Sequence, residues 1–268
     1  MTRTTGTPTW LDVCSNDAER SKQFYAELFG WTFVDQGEDL GHYTFIESEG
    51  DVIGGFMDVT GQSGPDGKPM AAEWGVVLAV EDVAARHARA LAAGATDYMG
   101  PHPVRDFGTL AWVYDPTGAI VGLWQAGTMD GYTFSGRPGT PVWFELMSTD
   151  FDASVDFYRD VFDFDIAYLG APDGGQNGIR YATNFAGDAA SAGICEAKQW
   201  LAEGATSYWR IYLGAEDTNA AVERVRELGG ELLDGPVDSE FGRVATVADC
   251  CGATFQLNQP LAQLRAGT

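Results

Sequence analysis

The sequence has few basic residues, few histidines and few cysteines. Lysine and arginine together number 16 against 39 aspartates and glutamates, which gives a formal net charge of −23 at pH 7. A field of this sign repels phosphate backbones and anionic lipids, so we expect neither nucleic acid nor a membrane as a partner. The chain also has only three histidines and four cysteines.

Long apolar runs are missing as well. No run approaches the ~20 residues that cross a bilayer, and residues 1–6 are too short and polar for a signal peptide, so a cytoplasmic protein is expected. No C-x-x-C pair is present, and the adjacent Cys250 and Cys251 are not expected to form a disulfide. Reduced, mostly buried thiols are the expectation. Walker loops, nucleophile elbows and H-E-x-x-H motifs do not occur.

What the sequence does contain is an internal repeat. The stretch from Gly6 recurs from Gly139, an offset of 139 − 6 = 133 residues. Each copy predicts a strand that leads into a helix, with Asp17 as the first N-cap and Gly30 at the helix end. The identical positions are Gly6, Pro8, Trp10, Asp17, Ser21, Phe24, Tyr25 and Phe29, which match Gly139, Pro141, Trp143, Asp150, Ser154, Phe157, Tyr158 and Phe162.

A second unit with the same plan begins at Trp74, with a helix capped by Asp82 and a predicted turn at MGPHP, residues 99–103. Its residues Trp74, Asp82, Gly94, Pro101, Gly108, Asp115 and Gly118 correspond to Trp209, Asp217, Gly229, Pro236, Gly242, Asp249 and Gly252. The repeat therefore predicts an α+β fold of four βαβββ modules whose sheets curve around clefts.

Domain boundaries follow from the repeat and from the Gly/Pro-rich stretches. The first domain is expected over residues 1–126, with modules at 6–60 and 73–125 and a surface loop at 61–68. A linker is expected at 127–138. The second domain is expected over residues 139–268, with modules at 139–196 and 207–258.

Two motifs carry a resemblance to a known family. The pattern D-x-x-x-S-x-x-F-Y-x-x-x-F at residues 17–29 and D-P-x-G at 115–118 resemble the vicinal oxygen chelate superfamily, which includes glyoxalase I, bleomycin-resistance proteins and extradiol dioxygenases. The layout is most similar to fused, tandem glyoxalase-like "hydroxylase" proteins of actinobacteria. The resemblance implies two pseudo-symmetric glyoxalase/bleomycin-resistance-like domains, but it does not fix an activity, because one scaffold hosts many reactions.

The resemblance also implies where metal ligands would stand. Metal-dependent members place one ligand on the first strand of a module, seven residues before the helix-capping Asp, and a Glu on the last strand. Divalent metal sites need about three or four His, carboxylate or thiolate groups, and of the residues at these positions only a glutamine could ligate at all. We therefore expect no metal and no other cofactor. The positions fall on Trp10, Gly75 and Gly122 in the first half and on Trp143, Arg210 and Gln256 in the second.

Asp12 and Glu145 are the candidate catalytic residues. They occupy matching positions on the two first strands, two residues after Trp10 and Trp143. If the tryptophans face the cleft, so do the carboxylates, and a half-buried carboxylate beside an indole can have a raised pKa fit for proton transfer. The other interpretation is that Glu145 forms an internal ion pair with Arg210.

The remaining candidates would contact a ligand: Trp10, His42, Trp143, Arg210, Tyr212 and Gln256. Trp10 either fills the space beside Gly75 and Gly122 as core or forms one wall of a slot for a flat molecule. His42 heads a strand and could face the first cleft. His87 takes the place of Val222 and is expected at the edge of the core, whereas His102 is expected in a solvated loop.

The expected function is a metal-independent protein of the glyoxalase/bleomycin-resistance type that binds a small aromatic or polycyclic molecule. It would sequester that molecule or tailor it in secondary metabolism. Two alternatives stay open: a metal-dependent lyase, isomerase or dioxygenase that uses Asp12, His42 and Glu145, and an interaction protein with no small ligand. The sequence leaves open the ligand, the choice between binding and catalysis, the functional cleft, and whether the protein is a monomer or a homodimer.

Overall fold

The computed structural model describes residues 3–64, 67–132, 135–174 and 178–261. Residues 65–66 of the expected surface loop and 133–134 of the expected linker lie outside the described residues. The first half contains β1 (Pro8–Ser15), α1 (Ala18–Phe29), β2 (Thr32–Asp35), β3 (Thr44–Ser48), β4 (Asp51–Asp58), β5 (Glu73–Ala79), α2 (Val83–Ala92), β6 (Thr96–Val104), β7 (Gly108–Tyr114) and β8 (Ile120–Ala126).

The second half repeats this order of elements. It contains β9 (Pro141–Ser148), α3 (Phe151–Phe162), β10 (Ala167–Tyr168), β11 (Tyr181–Thr183), β12 (Ala192–Glu196), β13 (Tyr208–Gly214), α4 (Thr218–Glu227), β14 (Glu231–Ser239), β15 (Gly242–Ala248) and β16 (Thr254–Gln259). No helix in the described part of the chain is long and apolar enough to cross a membrane.

The strands form two mixed sheets with the same topology. Their orders are β2-β3-β4-β1-β5-β8-β7-β6 and β10-β11-β12-β9-β13-β16-β15-β14. In every module the first strand runs parallel to the last, as in β1 with β4 and β9 with β12, and the other pairs within a module are antiparallel. A parallel pair needs a crossover, which the helix of each module supplies. The predicted α+β fold of four βαβββ modules is confirmed.

Each helix begins at an aspartate that caps it. Asp17, Asp82, Asp150 and Asp217 each accept a hydrogen bond on the side chain from a backbone N–H in the first turn. This contact satisfies one of the donors that a helix start leaves without an intrahelical partner. The predicted caps at Asp17 and Asp82 are therefore confirmed, as is the left-handed exit of α1 at Gly30, where φ is 72°.

The turn predicted at residues 99–103 is wrong. These residues continue β6, whose pairing with β7 shifts in register between Met99 and His102. Proline lacks the N–H that a ladder needs and is tolerated only at sheet edges and bulges. β6 is the outermost strand of its sheet, so Pro101 and Pro103 can be accommodated there without ending the strand.

By their contacts the residues group into two compact units. The first comprises residues 1–10, 75–131 and 144–210, and the second comprises 11–74, 132–143 and 211–268. In the first unit α2 packs on α3, and in the second α1 packs on α4. Each unit therefore combines segments from both halves of the sequence.

Each unit contains a fully buried tyrosine whose hydroxyl is hydrogen-bonded. In the first unit the hydroxyl of Tyr158 donates to Asp115 (3.0 Å) and accepts a bond from Trp209 Nε1 (2.8 Å). In the second unit the hydroxyl of Tyr25 accepts a bond from Trp74 Nε1 (3.1 Å) and pairs with Asp249. The tyrosine, tryptophan and aspartate that recur in the sequence repeat thus hydrogen-bond to one another, so that their polar atoms are satisfied in the core.

Candidate functional site

The first candidate carboxylate, Asp12, lies in β1, every residue of which is buried. Side chains alternate along a strand, so Asp12 shares a face with Trp10 and Cys14, and Leu11 and Val13 lie on the other face. Asp12 is 7% exposed, and it accepts a hydrogen bond on Oδ1 from the hydroxyl of Tyr43. Directly opposite Asp12 on the parallel strand β4 stands Gly55.

The second candidate carboxylate, Glu145, is held by an arginine. Glu145 is 5% exposed, and its Oε2 accepts bonds from Nε (2.7 Å) and Nη2 (2.5 Å) of Arg210. Arg210 follows Trp209, which packs against α3, so alternation places the guanidinium on the opposite face of β13. The internal ion pair, one of the two interpretations of the sequence, is therefore present.

One buried cysteine lies near each carboxylate. Cys14 follows Asp12 by two residues, and Cys195 stands opposite Met147, two residues after Glu145. Burial raises the pKa of the Cys14 thiol to about 12, with further contributions from the charges of Glu73 and Asp12. Burial likewise raises the pKa of Cys195 to about 12, with Glu145 adding to the effect. Both thiols therefore stay protonated at neutral pH, which makes them poor nucleophiles and poor metal ligands.

The structure places the predicted aromatic and amide residues in different environments. Trp10 is buried at 9% exposure, whereas Trp143 and Tyr212 are half-buried. Tyr212 stands opposite Gln256 in the parallel pair β13–β16. The buried amide of Gln256 donates to the Thr246 hydroxyl at 2.9 Å, so its polar atoms serve a cross-strand contact.

Two of the three histidines contact other aspartates, and His102, expected in a loop, is exposed on the edge strand β6. His42 lies in a turn with a left-handed backbone (φ 59°), and its Nδ1 contacts Asp35 at 2.9 Å with both side chains more than half exposed. The structure therefore puts its imidazole on an exposed ion pair. His87 is buried at the core edge, as expected, and contacts Asp97 at 2.8 Å.

Two tyrosines near the carboxylates were missed in the sequence. Tyr43 and Tyr181 each cross over a glycine on the next strand, Gly55 and Gly193 respectively. Both tyrosines precede their glycine by 12 residues (55 − 43 and 193 − 181). The same 12-residue spacing between a tyrosine and a glycine in both halves of the repeat is the sequence signal that could have identified them.

The side chains at the family's metal positions do not fit a divalent ion. Trp10, Gly75, Gly122 and Trp143 offer no metal donor, Arg210 is committed to Glu145, and Gln256 is one neutral amide. Over the described ranges no group of three or more His, Cys, Asp or Glu side chains is placed to hold a metal ion. No step of a reaction is assigned to a metal at these positions.

Comparison with known proteins agrees with this architecture. Residues 7–123 and 140–257 match the model of the Glyoxalase/Bleomycin resistance protein/Dioxygenase superfamily. The chain belongs to this superfamily. The match covers both halves of the sequence, so the resemblance inferred from the motifs is confirmed, and the superfamily domain occurs twice in tandem.

Two curated proteins are similar to this chain over almost their whole length. "Anthracycline biosynthesis protein DauV" of Streptomyces sp. (strain C5) is 34% identical over 263 residues, covering 94% of this chain and 92% of the relative. "Putative glyoxylase CFP32" of Mycobacterium tuberculosis (strain CDC 1551 / Oshkosh) is 31% identical over 261 residues, covering 96% of each.

Solved structures share the superfamily fold at much lower identity. The 2,3-dioxygenase LapB from Pseudomonas sp. KL28 aligns with a TM-score of 0.64 at 14% identity, covering 96% of this chain and 93% of LapB. The Mn(II)-bound glyoxalase from Novosphingobium aromaticivorans aligns with a TM-score of 0.62 at 14% identity, covering 96% of this chain and 82% of that chain. At this identity the likeness establishes the fold alone.

Proposed function

We propose that this protein is a metal-independent member of the superfamily that binds a small aromatic or polycyclic secondary metabolite and sequesters or tailors it. The observation that carries the proposal is the pair of buried carboxylates, Asp12 and Glu145, at matching positions of β1 and β9. Asp12 and Glu145 each follow a tryptophan by two residues, and alternation puts Trp10 with Asp12 and Trp143 with Glu145 on one face of their strand.

These faces combine what an aromatic ligand needs. An indole offers a flat apolar surface for stacking, and a nearby carboxylate accepts a hydrogen bond from a ligand hydroxyl. Ligand sites are typically apolar surfaces with a few well-placed polar groups. In the second unit, Trp143 and Tyr212 are half-buried and are proposed ligand contacts, and Gln256 contributes a buried amide. In the first unit, the half-buried Arg210 beside Glu145 is a proposed ligand contact.

The ligand class is drawn from the relatives. Two curated relatives carry the name anthracycline biosynthesis protein, and one of them is 34% identical over 94% of this chain. Anthracyclines are polycyclic and aromatic and carry phenolic hydroxyls, which matches the chemistry of an indole beside a carboxylate. The metal-free part of the proposal rests on the donor set, because the family's ligand positions hold tryptophan, glycine, arginine and glutamine.

The proposal is tested on the purified full-length protein. Native mass spectrometry would detect a copurifying organic molecule, and elemental analysis of the same sample would detect metal. Titration with an anthracycline, followed by tryptophan fluorescence, would give an affinity, measured with and without EDTA. We expect binding that EDTA does not change.

Two results would contradict this proposal. Stoichiometric manganese, iron, nickel or zinc, with binding lost in EDTA, would show that the protein uses a metal site that the sequence and the described residues do not reveal. A failure of anthracyclines and related polycyclic aromatics to bind, together with no copurifying organic molecule, would remove the ligand class.

A further inference from the structure

Two adjacent cysteines lie in the turn between β15 and β16. Cys250 and Cys251 are free thiols, both half-buried, and their Sγ atoms are 3.7 Å apart. Neighbouring side chains of an extended strand point to opposite faces, so these two sulfurs meet on one side because the chain turns here. They lie beside the start of α1, where Cys250 Sγ is 3.5 Å from the carbonyl oxygen of Arg20.

The backbone of this turn does not depend on the thiols. Asp249 Oδ1 accepts hydrogen bonds from the backbone N–H of Cys251 and of Ala253, at 2.8 and 2.9 Å. The first half builds the same turn on Asp115, whose Oδ1 accepts from two backbone N–H groups at 2.8 and 3.0 Å. Proline and threonine stand there at the positions of the two cysteines, in the sequence D-P-T-G. The aspartate therefore fixes the turn, and the pair of thiols is particular to the second half.

The separation of the sulfurs suits one bridging atom better than a direct bond. In a disulfide the sulfurs are about 2.0 Å apart and the Cα atoms usually about 4.4–6.8 Å apart, whereas the Cα atoms of neighbouring residues are only about 3.8 Å apart. Two thiolates on one tetrahedral zinc ion, at about 2.3 Å each, lie roughly 3.8 Å apart. The separation of 3.7 Å between Cys250 and Cys251 therefore matches two sulfurs that are held by a single atom.

The number of donors selects the kind of atom. Structural zinc sites use four protein ligands and catalytic ones about three. Among the described residues no group of three or more His, Cys, Asp or Glu side chains is placed to hold a metal ion, so the pair has two donors to offer. An arsenic(III) centre that carries one organic substituent needs two further bonds, and soft centres prefer sulfur ligands.

We propose that Cys250 and Cys251 form a two-thiol binding site for a monosubstituted arsenic(III) compound. An arsine oxide, R–As=O, would react with both thiols. Two As–S bonds form, the As=O bond breaks, and the oxygen leaves as water with the two thiol protons. Arsenic stays trivalent, so no oxidant or reductant takes part. The site goes beyond the proposed function and does not depend on the aromatic ligand.

The protonation of the pair is compatible with this reaction. Burial raises the pKa of Cys250 to about 12, and the charge of Cys251 and the contact between the two sulfurs add to this effect. Cys250 therefore remains a thiol at neutral pH. A bare metal cation would need both thiols deprotonated, whereas an arsine oxide takes up their protons as water.

The test uses phenylarsine oxide and the full-length protein, purified with reductant. Intact-mass spectrometry in an excess of glutathione, a monothiol, counts the phenylarsenic groups bound to each chain. Cys250→Ser and Cys251→Ser each leave one thiol of the pair. The matched control gives the turn the residues of the first half, with Cys250→Pro and Cys251→Thr together. Circular dichroism checks that every variant is folded.

The expected result is one phenylarsenic group on each wild-type chain. Excess glutathione should leave it in place, and the dithiol 2,3-dimercaptopropanol should remove it. Each serine variant should bind at least about 100-fold more weakly, because the second sulfur–arsenic bond of the wild type closes within one molecule. The double variant with the first-half turn should stay folded and bind no phenylarsenic group.

Three results would overturn the proposal. They are a wild type that binds no phenylarsenic group, binding that persists undiminished in either serine variant, and a bound group that peptide mass analysis locates on the buried Cys14 or Cys195. If a serine variant does not fold, the double variant gives the same comparison, because its turn already occurs in the first half. None of these results depends on whether the protein binds an anthracycline.

Discussion

The hydroxyl of Tyr158 in the second half of the sequence donates a hydrogen bond to Asp115 in the first half, at 3.0 Å. Tyr158 belongs to the F-Y pair of the helix motif, and Asp115 begins the D-P-T-G turn. Burial raises the pKa of Tyr158 well above its usual value, and the charge of Asp115 adds to this effect, so the phenol remains a donor. The two sequence motifs typical of the superfamily therefore meet in one hydrogen bond inside the core. Because this contact stabilises the fold, the motifs predict the fold and do not indicate a reaction.

The first prediction separates the two candidate carboxylates. Asp12→Asn keeps an oxygen that can accept from the Tyr43 hydroxyl, so we expect a stability loss of about 1 kcal/mol or less. Glu145→Gln leaves the guanidinium of Arg210, whose side chain is 21% exposed, without its counter-charge, and we expect a loss of about 1–3 kcal/mol. Urea unfolding of both variants measures the difference.

The same two variants test the ligand assignment. If Asp12→Asn and Glu145→Gln both stay folded and both retain full affinity for the anthracycline probe, neither strand face contacts the ligand. An equal or larger stability loss for Asp12→Asn than for Glu145→Gln would contradict the description of Glu145 as the ion-paired member.

The second prediction concerns the tryptophans that precede the carboxylates. Trp143 is half-buried, so Trp143→Ala should weaken binding of a planar ligand by several-fold while the protein stays folded, because stacking contributes roughly 0.5–1.5 kcal/mol beyond buried area. Trp10 is only 9% exposed, and Trp10→Ala should cost about 3–5 kcal/mol of stability. Fluorescence titration and thermal unfolding give both quantities, and unchanged affinity in Trp143→Ala would argue against stacking there.

The third prediction tests the glycines beneath the tyrosines. Gly55→Ala and Gly193→Ala should each destabilise the protein by about 1–3 kcal/mol, because the new methyl group displaces a tyrosine ring. Gly100→Ala is the matched control, since Gly100 is also in a strand but a Cβ there would meet no atom within 4 Å. Its effect should stay within about 0.5 kcal/mol. Similar stability losses in all three variants would contradict the explanation that overlap with a tyrosine ring causes the loss at Gly55 and Gly193.

The fourth prediction concerns acid stability. The hydrogen bond from the Thr5 hydroxyl, together with Arg86, lowers the pKa of Glu81 from its ordinary 4.5 to about 2. A lowered folded-state pKa stabilises the protein above about 4.5, and this contribution is lost as the pH falls towards 2. Wild type should therefore exceed Glu81→Gln in stability at pH 6 and lose that advantage near pH 2.5.

The size of this effect is limited by solvent. The Glu81 side chain is 60% exposed, so the advantage at pH 6 should not exceed about 1 kcal/mol. Urea unfolding of both proteins at several pH values measures it. A stability difference that does not vary with pH would show that Glu81 contributes through its shape and not through its charge.

Local signals allowed most of the fold to be predicted from the sequence. The capping aspartates Asp17 and Asp82 and the exit at Gly30 act within one helix turn, and the repeat supplied the number of modules. The turn predicted at residues 99–103 is wrong because these residues belong to an edge strand with a shifted register, which accepts proline. Whether a strand lies at an edge depends on the whole sheet and cannot be seen locally.

The candidate site was harder to predict because its contacts are long-range. Asp12 and Glu145 were found from their matching positions, but Tyr43, which contacts Asp12, lies 31 residues away in sequence. His42 is its neighbour and was favoured for its chemistry, yet a left-handed turn leaves it with Asp35 on the exposed surface. Side chains that meet across strands depend on register, which composition and periodicity do not specify.

The division of each compact unit between two halves bears on how such a chain could arise. Tyr158 and Tyr25 each take their aspartate from the other half of the sequence. Two separate copies of a half-length ancestor could have exchanged the same contacts as a dimer, whose assembly would depend on protein concentration. Fusion into one chain replaces that dependence with a high effective concentration of the second half, typically in the millimolar range for short linkers. The two halves now differ at their matching carboxylates, where Tyr43 contacts Asp12 and Arg210 contacts Glu145.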